Sequence, residues 1–583
     1  MLYSLKKIFW QNLRRSHVYG VTLLGRKIPQ IVSILSDPWH GNIQFAEAIL
    51  LGDLHLDNYR FTTKHLLNAL DKPNDAYEPV ASYMQSFMFL YDLNSVSGNS
   101  GRKRARQLIE HWIRSHHSWA HKSWNSPAWK PVYVGLRLSA WLNLYDFYAS
   151  TADDDFKRLL VTSFDKQLRY LRRHWAEEKD DLHKFWALKG VILGEALRPG
   201  KEKDKRVSSS IQALIKLIEK QILPDGGHIS RSPLLHWRFL RDLIDIRTSL
   251  RLLNRDADHT LGLLEQTLQN YIQKMTPILR LLRHGDGALA LFAGSLTLLA
   301  KGLCFGVTPD AVDTVLTLTD TESTRPPQRA PESGYERCAS RNSIVLINTF
   351  PNPIFNTAVS PDSVPYEPGA EILNLEWSVG QNRIIHKGDI LIQNMPSEED
   401  EKKKGSSWIT NLNPECTQII IKRHNKEGSH YISFDLTYVS SEHSFSWHRQ
   451  IYLTPGGDEL KGHDTIRVSN NAIIGIRFEL NPEFSIEGEG EKIYISSKSS
   501  LYSPEKGHKN THNQIDAHTH EKPRARKFAE PVKWFFRNVG SDDVLTTSSE
   551  EDNRTILLVK QCDENRSHTF KWSFSQTNVL KEI

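Results

Sequence analysis

The string Pro224-Asp-Gly-Gly-His-Ile-Ser-Arg-Ser-Pro-Leu-Leu-His236 gathers two imidazoles, a guanidinium and a carboxylate in one short stretch. Imidazoles exchange protons close to neutral pH and guanidinium groups meet anions, so the residue types for proton-transfer chemistry are present. The competing reading is packing, with His228 and His236 arranged around the Asp-Gly-Gly turn. Asp225 reads as a turn-former rather than an acid, because Asp bonds its own turn backbone and Gly accepts positive φ. A second group, Asp181-Leu-His-Lys184, opens an apolar helical segment; His183 is either functional or a helix-start residue bonded to backbone. Trp119, Trp124 and Trp129 offer faces that suit the apolar side of a pyranose, with core packing as the equal alternative.

Other chemistries find little support. Cys304, Cys338, Cys416 and Cys562 form no CxxC pair, so neither a zinc ribbon nor a disulfide framework is indicated. His508, His512, His518 and His520 lie in the polar segment 506–527, which reads as a flexible loop in preference to a transition-metal trap. No metal site and no cofactor are expected. With 583 residues, 39% hydrophobic and 24% charged, the chain is neither disordered, collagen-like nor membrane-embedded. The net charge of +6 is concentrated at the front, where residues 1–130 hold 16 Lys and Arg against 9 Asp and Glu. Such a region attracts an anionic polysaccharide, a phosphate backbone or a membrane surface, or is simply a solvated face. No nucleic-acid module is recognisable, so nucleic acid is not an expected partner. The N-terminus lacks the apolar core of a secretory signal, and the longest apolar stretch, 288–300, is too short to span a bilayer and reads as a buried helix.

These groups need elements to hold them. Apolar residues recur at three and four through 80–95, 102–116, 131–148, 155–174, 183–196, 206–222, 233–253, 258–280 and 286–304, which predicts helices in series. Residues 1–320 are therefore expected to form an all-α domain of helical-hairpin or toroid type. The proline-rich segment 321–334 reads as a linker. From 335 to 583 the pattern turns to short β-rich runs, at 343–350, 418–422, 431–438, 445–453, 473–480 and 492–496, separated by Gly, Pro, Asn and Asp clusters. That is an antiparallel sandwich, interrupted by a charge run at 397–407 that reads as an exposed loop.

The string 224–236 resembles the heparinase II/III family of polysaccharide lyases. Trp119-Ala-His-Lys-Ser-Trp-Asn-Ser-Pro-Ala-Trp-Lys-Pro131, Gly135-Leu-Arg-Leu-Ser-Ala-Trp141, Gly334-Tyr-Glu-Arg337 and Leu373-Asn-Leu-Glu-Trp-Ser-Val-Gly-Gln-Asn-Arg-Ile-Ile385 are similar to it as well. The resemblance implies an incomplete α/α toroid followed by a β-sandwich, and β-elimination on an acidic, uronate-containing polysaccharide. That reaction needs a donor to neutralise the sugar carboxylate, a base for the C5 proton and an acid for the leaving oxygen. In the family these are an Asn, a Tyr and one or two His. Here His183 is retained while Leu182 stands at the Asn position; His236 is retained while Leu235 stands at the Tyr position; and Gly369 falls where a sandwich His is expected.

The catalytic set implied is thus His183, His236, His228 and Tyr366, the last as a substitute phenol. Arg231 and Lys184, with Asp181, are substitutes for meeting the carboxylate, and Trp119, Trp124 and Trp129 are the stacking set. The family suggests the cell envelope or periplasm; the missing signal suggests the cytoplasm, with peripheral membrane contact through the basic N-terminus. The alternative function is a catalytically degenerate carbohydrate-binding or scaffolding protein on the same fold.

Overall fold

The computed structural model describes residues 16–24, 38–39, 41–56, 59–73, 76–117, 126–196, 203–253, 259–292, 307–350, 372–394, 417–439, 444–488, 493–497, 533–548 and 554–576. Trp119, Trp124, Tyr366, residues 1–15 and the inserts 397–407 and 506–527 lie outside them. Among the described residues the chain divides into two compact units at Glu336/Arg337.

The first unit is helical. The Asp181–Ala196 helix packs on Pro131–Asn143, Lys203–Gln221 and Pro233–Leu253, and the last of these packs on His259–Leu281. Prolines at 131, 233 and 309 open their helices, where a missing N–H costs nothing. Asp153 caps Asp154–His174 by accepting from the Phe156 amide at 2.7 Å, and that helix carries Asp154 and Asp155 in its first turn and Arg172, Arg173 and His174 in its last, in line with its dipole. A Cβ added to Gly190 would stand 2.5 Å from the Gly135 Cα, so only glycine lets these two helices meet backbone to backbone.

Two matching hairpin turns follow the helices ending at Gln221 and Leu281, closed by Ile222↔His228 and Arg283↔Leu289 bridges. Each holds an Asp-Gly step: Asp225 accepts from the Gly227 amide at 3.0 Å and Asp286 from the Ala288 amide at 2.9 Å. The second turn corrects the expected 286–304 helix. Gly287 at φ 84° reverses the chain, and the Ala290 amide bonds back to the Leu282 carbonyl at 2.8 Å, so 286–292 is a hairpin return. Residues 293–304 reach outside the described set. The helix Pro309–Leu318 follows, and among the described residues no helix is long and apolar enough to cross a membrane.

Two antiparallel eight-stranded sheets follow, formed by the second unit except for Arg329–Ala330 and the first two residues of Tyr335–Ser340, which precede its start. One runs Phe484–Glu487, Ile493–Ser497, Lys533–Val539, Ser567–Gln576, Glu459–Val468, Ser444–Leu453, Ser429–Val439, Thr417–Lys426. The other runs Asp543–Ser548, Arg554–Cys562, Ala472–Leu480, Asn382–Asn394, Leu375–Val379, Ser343–Asn348, Tyr335–Ser340, Arg329–Ala330. Strict alternation in Ser444–Leu453 sends Phe445, Trp447, Arg449, Ile451 and Leu453 inward, the period-two pattern of a strand with one buried face. Trp377, Trp534, Phe478, Trp572 and Phe574 join in edge-to-face and tilted pairs at the centre of the core. An α/α toroid and a β-sandwich, in that order, are the architecture.

Candidate functional site

The helix starts at Asp181 and Pro233 carry the expected groups. Asp180 accepts from the His183 amide at 2.9 Å, capping the first of these helices. The His183 ring stacks on Trp186 at 6.1 Å, with Nδ1 3.9 Å from Glu178 Oε2, and its side chain keeps 29% exposure. Asp181 lies between two ammonium groups, Lys184 Nζ at 2.8 Å and Lys220 Nζ at 3.0 Å, and the hydrogen bond from Lys184 holds its carboxyl below the usual range. Lys184 is therefore ion-paired. Leu182 is partly buried at the same helix start.

The other two histidines are interior groups. His236 is 2% exposed, and its Nε2 lies 3.1 Å from the Met275 carbonyl. A carbonyl only accepts, so Nε2 carries the proton and Nδ1 is bare. His228 is equally buried; its Nδ1 accepts from the Ser230 amide at 3.1 Å and from the Ser230 hydroxyl at 2.7 Å, which leaves the proton on Nε2. Among the described residues His236 Nδ1 and His228 Nε2 have no hydrogen-bond partner. Burial drives the His228 pKa down to about 3, helped by the nearby His236, and that of His236 down to about 4. At pH 7 an imidazole of the latter kind is protonated in about one molecule per thousand.

Arg231 sits in the left-handed region at φ 51° and donates from Nε and Nη2 to the Glu332 carbonyl at 3.3 and 3.2 Å, while the Tyr335 hydroxyl donates to the Arg231 carbonyl. Trp129 is 2% exposed, 5.2 Å from Tyr170 and beneath the Lys166 ammonium at 5.2 Å, so it packs in the core. Asp225 does what its turn demands and more. Its Oδ1 accepts from Gly227 N and from Ser333 Oγ at 2.7 Å, and its Oδ2 from Ser333 N at 2.7 Å, tying the 224–228 turn to the proline-rich segment. The structure thus brings His228 and His236 together in the interior, while His183 keeps a partly exposed side chain at its helix start. A cavity of about 400 Å³ in the helical unit is lined by Pro38, Asp310, Asp313, Thr314, Thr317 and Leu318, none of them an expected site residue.

Sequence reasoning missed one polar group, a buried cluster of Lys189, Arg238, Arg241, Asp242 and Asp245 on the same two helices. One signal was available: Lys189 interrupts the apolar run of the Asp181–Ala196 helix, where a buried charge needs a partner.

Residues 84–287 match the family described as Heparinase II/III N-terminus. FtsZ-localized protein C of Caulobacter vibrioides (strain NA1000 / CB15N) is 24% identical over 504 residues, covering 80% of each chain. Among solved structures, a heparinase III is similar with a TM-score of 0.56 at 11% identity, over 97% of this chain and 88% of that one. A second heparinase III gene product gives 0.52 at 11% identity, over 95% and 87%.

Proposed function

The chain carries the heparinase II/III family fold, and from that premise we propose that it is a binding protein that has kept the lyase scaffold without turnover and associates with FtsZ in a bacterial cell. One observation supports the loss of turnover above the others: the retained imidazole of His236 has its proton held on the Met275 carbonyl and is 2% exposed. General acid–base catalysis needs a group within reach of the substrate and a pKa near the working pH. His236 meets neither condition, and Leu182 supplies no amide for the sugar carboxylate. The location is taken from the relative named for localising with FtsZ, which this chain matches along four-fifths of both lengths. The basic N-terminal region, with 16 Lys and Arg against 9 Asp and Glu in residues 1–130, suits an anionic partner or membrane surface.

The test has two arms. Incubation with a panel of uronate-containing polysaccharides is expected to give no rise in ultraviolet absorbance, because no unsaturated uronate forms. Co-sedimentation with polymerised FtsZ is expected to carry the protein into the pellet. A time-dependent absorbance rise that His183→Ala removes would replace the first half of the proposal by the lyase reading. That second reading rests on His183, partly exposed beside Lys184 and Asp181. Protein left wholly in the supernatant would remove the second half.

A further inference from the structure

Farther along the Asp181–Ala196 and Pro233–Leu253 helices, the interior holds three buried cations, Lys189, Arg238 and Arg241, against the carboxylates of Asp242, Asp245 and the neighbouring Asp92. Asp242 and Asp245 have all four oxygens met. Lys189 Nζ lies 2.5 Å from Asp242 Oδ1 and 2.5 Å from Asp245 Oδ2. Trp186 Nε1 and Arg238 Nε donate to Asp242 Oδ2 at 2.8 and 3.1 Å. Trp39 Nε1 donates to Asp245 Oδ1 at 2.7 Å, and Asn143 Nδ2 to Oδ2 at 3.3 Å. The neighbouring carboxylate of Asp92 accepts from the Asn42 amide at 2.7 Å and from the Tyr83 hydroxyl. Lys189 and Arg238 are satisfied by this arrangement. Arg241 is near enough to Asp92 and Asp242 to stabilise their charges, but its Nε and Nη2 make no hydrogen bond to either.

The Arg241 guanidinium is 4% exposed and stands 4.3 Å from the Tyr91 ring centroid, 4.9 Å from that of Trp39 and 5.8 Å from that of Trp237. Its Nε and Nη2 are closed to solvent and, among the described residues, have no hydrogen-bond partner. Aromatic faces attract a cation but accept no in-plane N–H, so they offset only part of the cost of burying one. The open edge has a known preference within this same chain. Arg477 presents Nε and Nη2 to the two oxygens of Asp389 at 2.8 and 2.6 Å, and Arg60 presents the same pair to Asp53 at 2.6 and 2.9 Å. That edge is a fork matched to one planar carboxylate.

We propose that the Nε/Nη2 edge of Arg241, walled by Trp39, Tyr91 and Trp237, is a receptor for the carboxylate of a small ligand. The bound carboxylate completes the bidentate pair that no carboxylate of the cluster makes with this edge. Reaching it requires the Trp39 or Trp237 indole to move aside, so binding alters tryptophan emission as well as stability. The inference stands apart from FtsZ association and from turnover, since a binder and a lyase would use the edge alike.

The experiment titrates the full chain at neutral pH with D-glucuronate, acetate and D-glucose, read by calorimetry, melting temperature and tryptophan fluorescence. Glucuronate is expected to bind and raise the melting temperature, and glucose to do neither. Acetate matching glucuronate identifies a receptor for a bare carboxylate from any source; acetate binding at least about tenfold more weakly identifies a sugar acid. Arg241→Lys keeps the charge but loses the fork, and is expected to weaken binding at least about tenfold, since one charge-assisted hydrogen bond goes. Arg241→Met is expected to abolish it. If Arg241→Met does not fold, the wild-type titrations and Arg241→Lys decide. The proposal is overturned if no carboxylate binds at tens of millimolar, if glucose binds as well as glucuronate, or if Arg241→Lys binds unchanged.

Discussion

Gly190 rests directly on Gly135: a Cβ built on Gly190 would lie 2.5 Å from the Gly135 Cα, and one built on Gly135 would lie 2.4 Å from the Trp186 carbonyl oxygen. This contact sets how closely the Asp181–Ala196 helix approaches Pro131–Asn143, and with it the placement of His183, Trp186 and Lys189. Backbone cannot give way as a side-chain end can. Gly190→Ala is therefore expected to cost about 3 kcal/mol, at the upper end for overpacking, read as a lower urea midpoint. An alanine variant within about 0.5 kcal/mol of wild type would contradict the close approach.

Acid should destabilise the helical unit through its buried imidazoles. Burial lowers His116 to about 4, His228 to about 3 and His236 to about 4. Each folded value lies below the ordinary one of about 6.5, so the unfolded chain binds more protons. Their contribution is complete above pH 6.5 and is lost as pH falls toward those folded values, by up to about 1.4 kcal/mol per pH unit for each histidine. Denaturation midpoints between pH 7 and 4.5 check this. His228→Phe together with His236→Phe should remove most of the slope, because burial raises the Asp92 carboxyl to about 6 and its protonation opposes the remaining loss from His116.

Leu182→Asn restores the residue type at the position of the missing amide. It is not expected to generate an unsaturated uronate, because His236 stays interior with its Nε2 proton on the Met275 carbonyl. The same absorbance assay reads the outcome, and measurable turnover would show that the amide alone was lacking.

Asp225→Ala removes the acceptor of three hydrogen bonds, from Gly227 N, Ser333 N and Ser333 Oγ. A loss of roughly 3 kcal/mol is expected, with Asp225→Asn losing about half as much because one oxygen remains. Ser333→Ala should cost about 1 kcal/mol, and the pair should be non-additive.

Periodicity located the helices from 131 to 281 to within a few residues, since three- and four-residue spacing reports the buried face directly. It failed at 286–292, where the apolar run continues past Gly285-Asp-Gly287 and turn chemistry wins. Turn chemistry read correctly at Asp225, whose second role, holding Ser333 across the sequence, no local pattern announces. Residue identity was enough to place imidazoles near helix starts. It did not reveal that His228 and His236 are interior, because burial depends on which helices close over them. The charged residues of Pro233–Leu253 were overlooked for the same reason: on a helix of mixed polarity they look exposed until the partner helix is known.

The bonds between Asp225 and Ser333 join residues 108 positions apart. A ribosome adding about 5–20 residues per second reaches Ser333 some 5–20 s after Asp225. Until then the hairpin turn at 224–228 lacks its latch, and the helices behind it wait half-assembled. Completion of the helical unit during synthesis is thus timed by the emergence of a short proline-rich segment, after the helices themselves have left the exit tunnel.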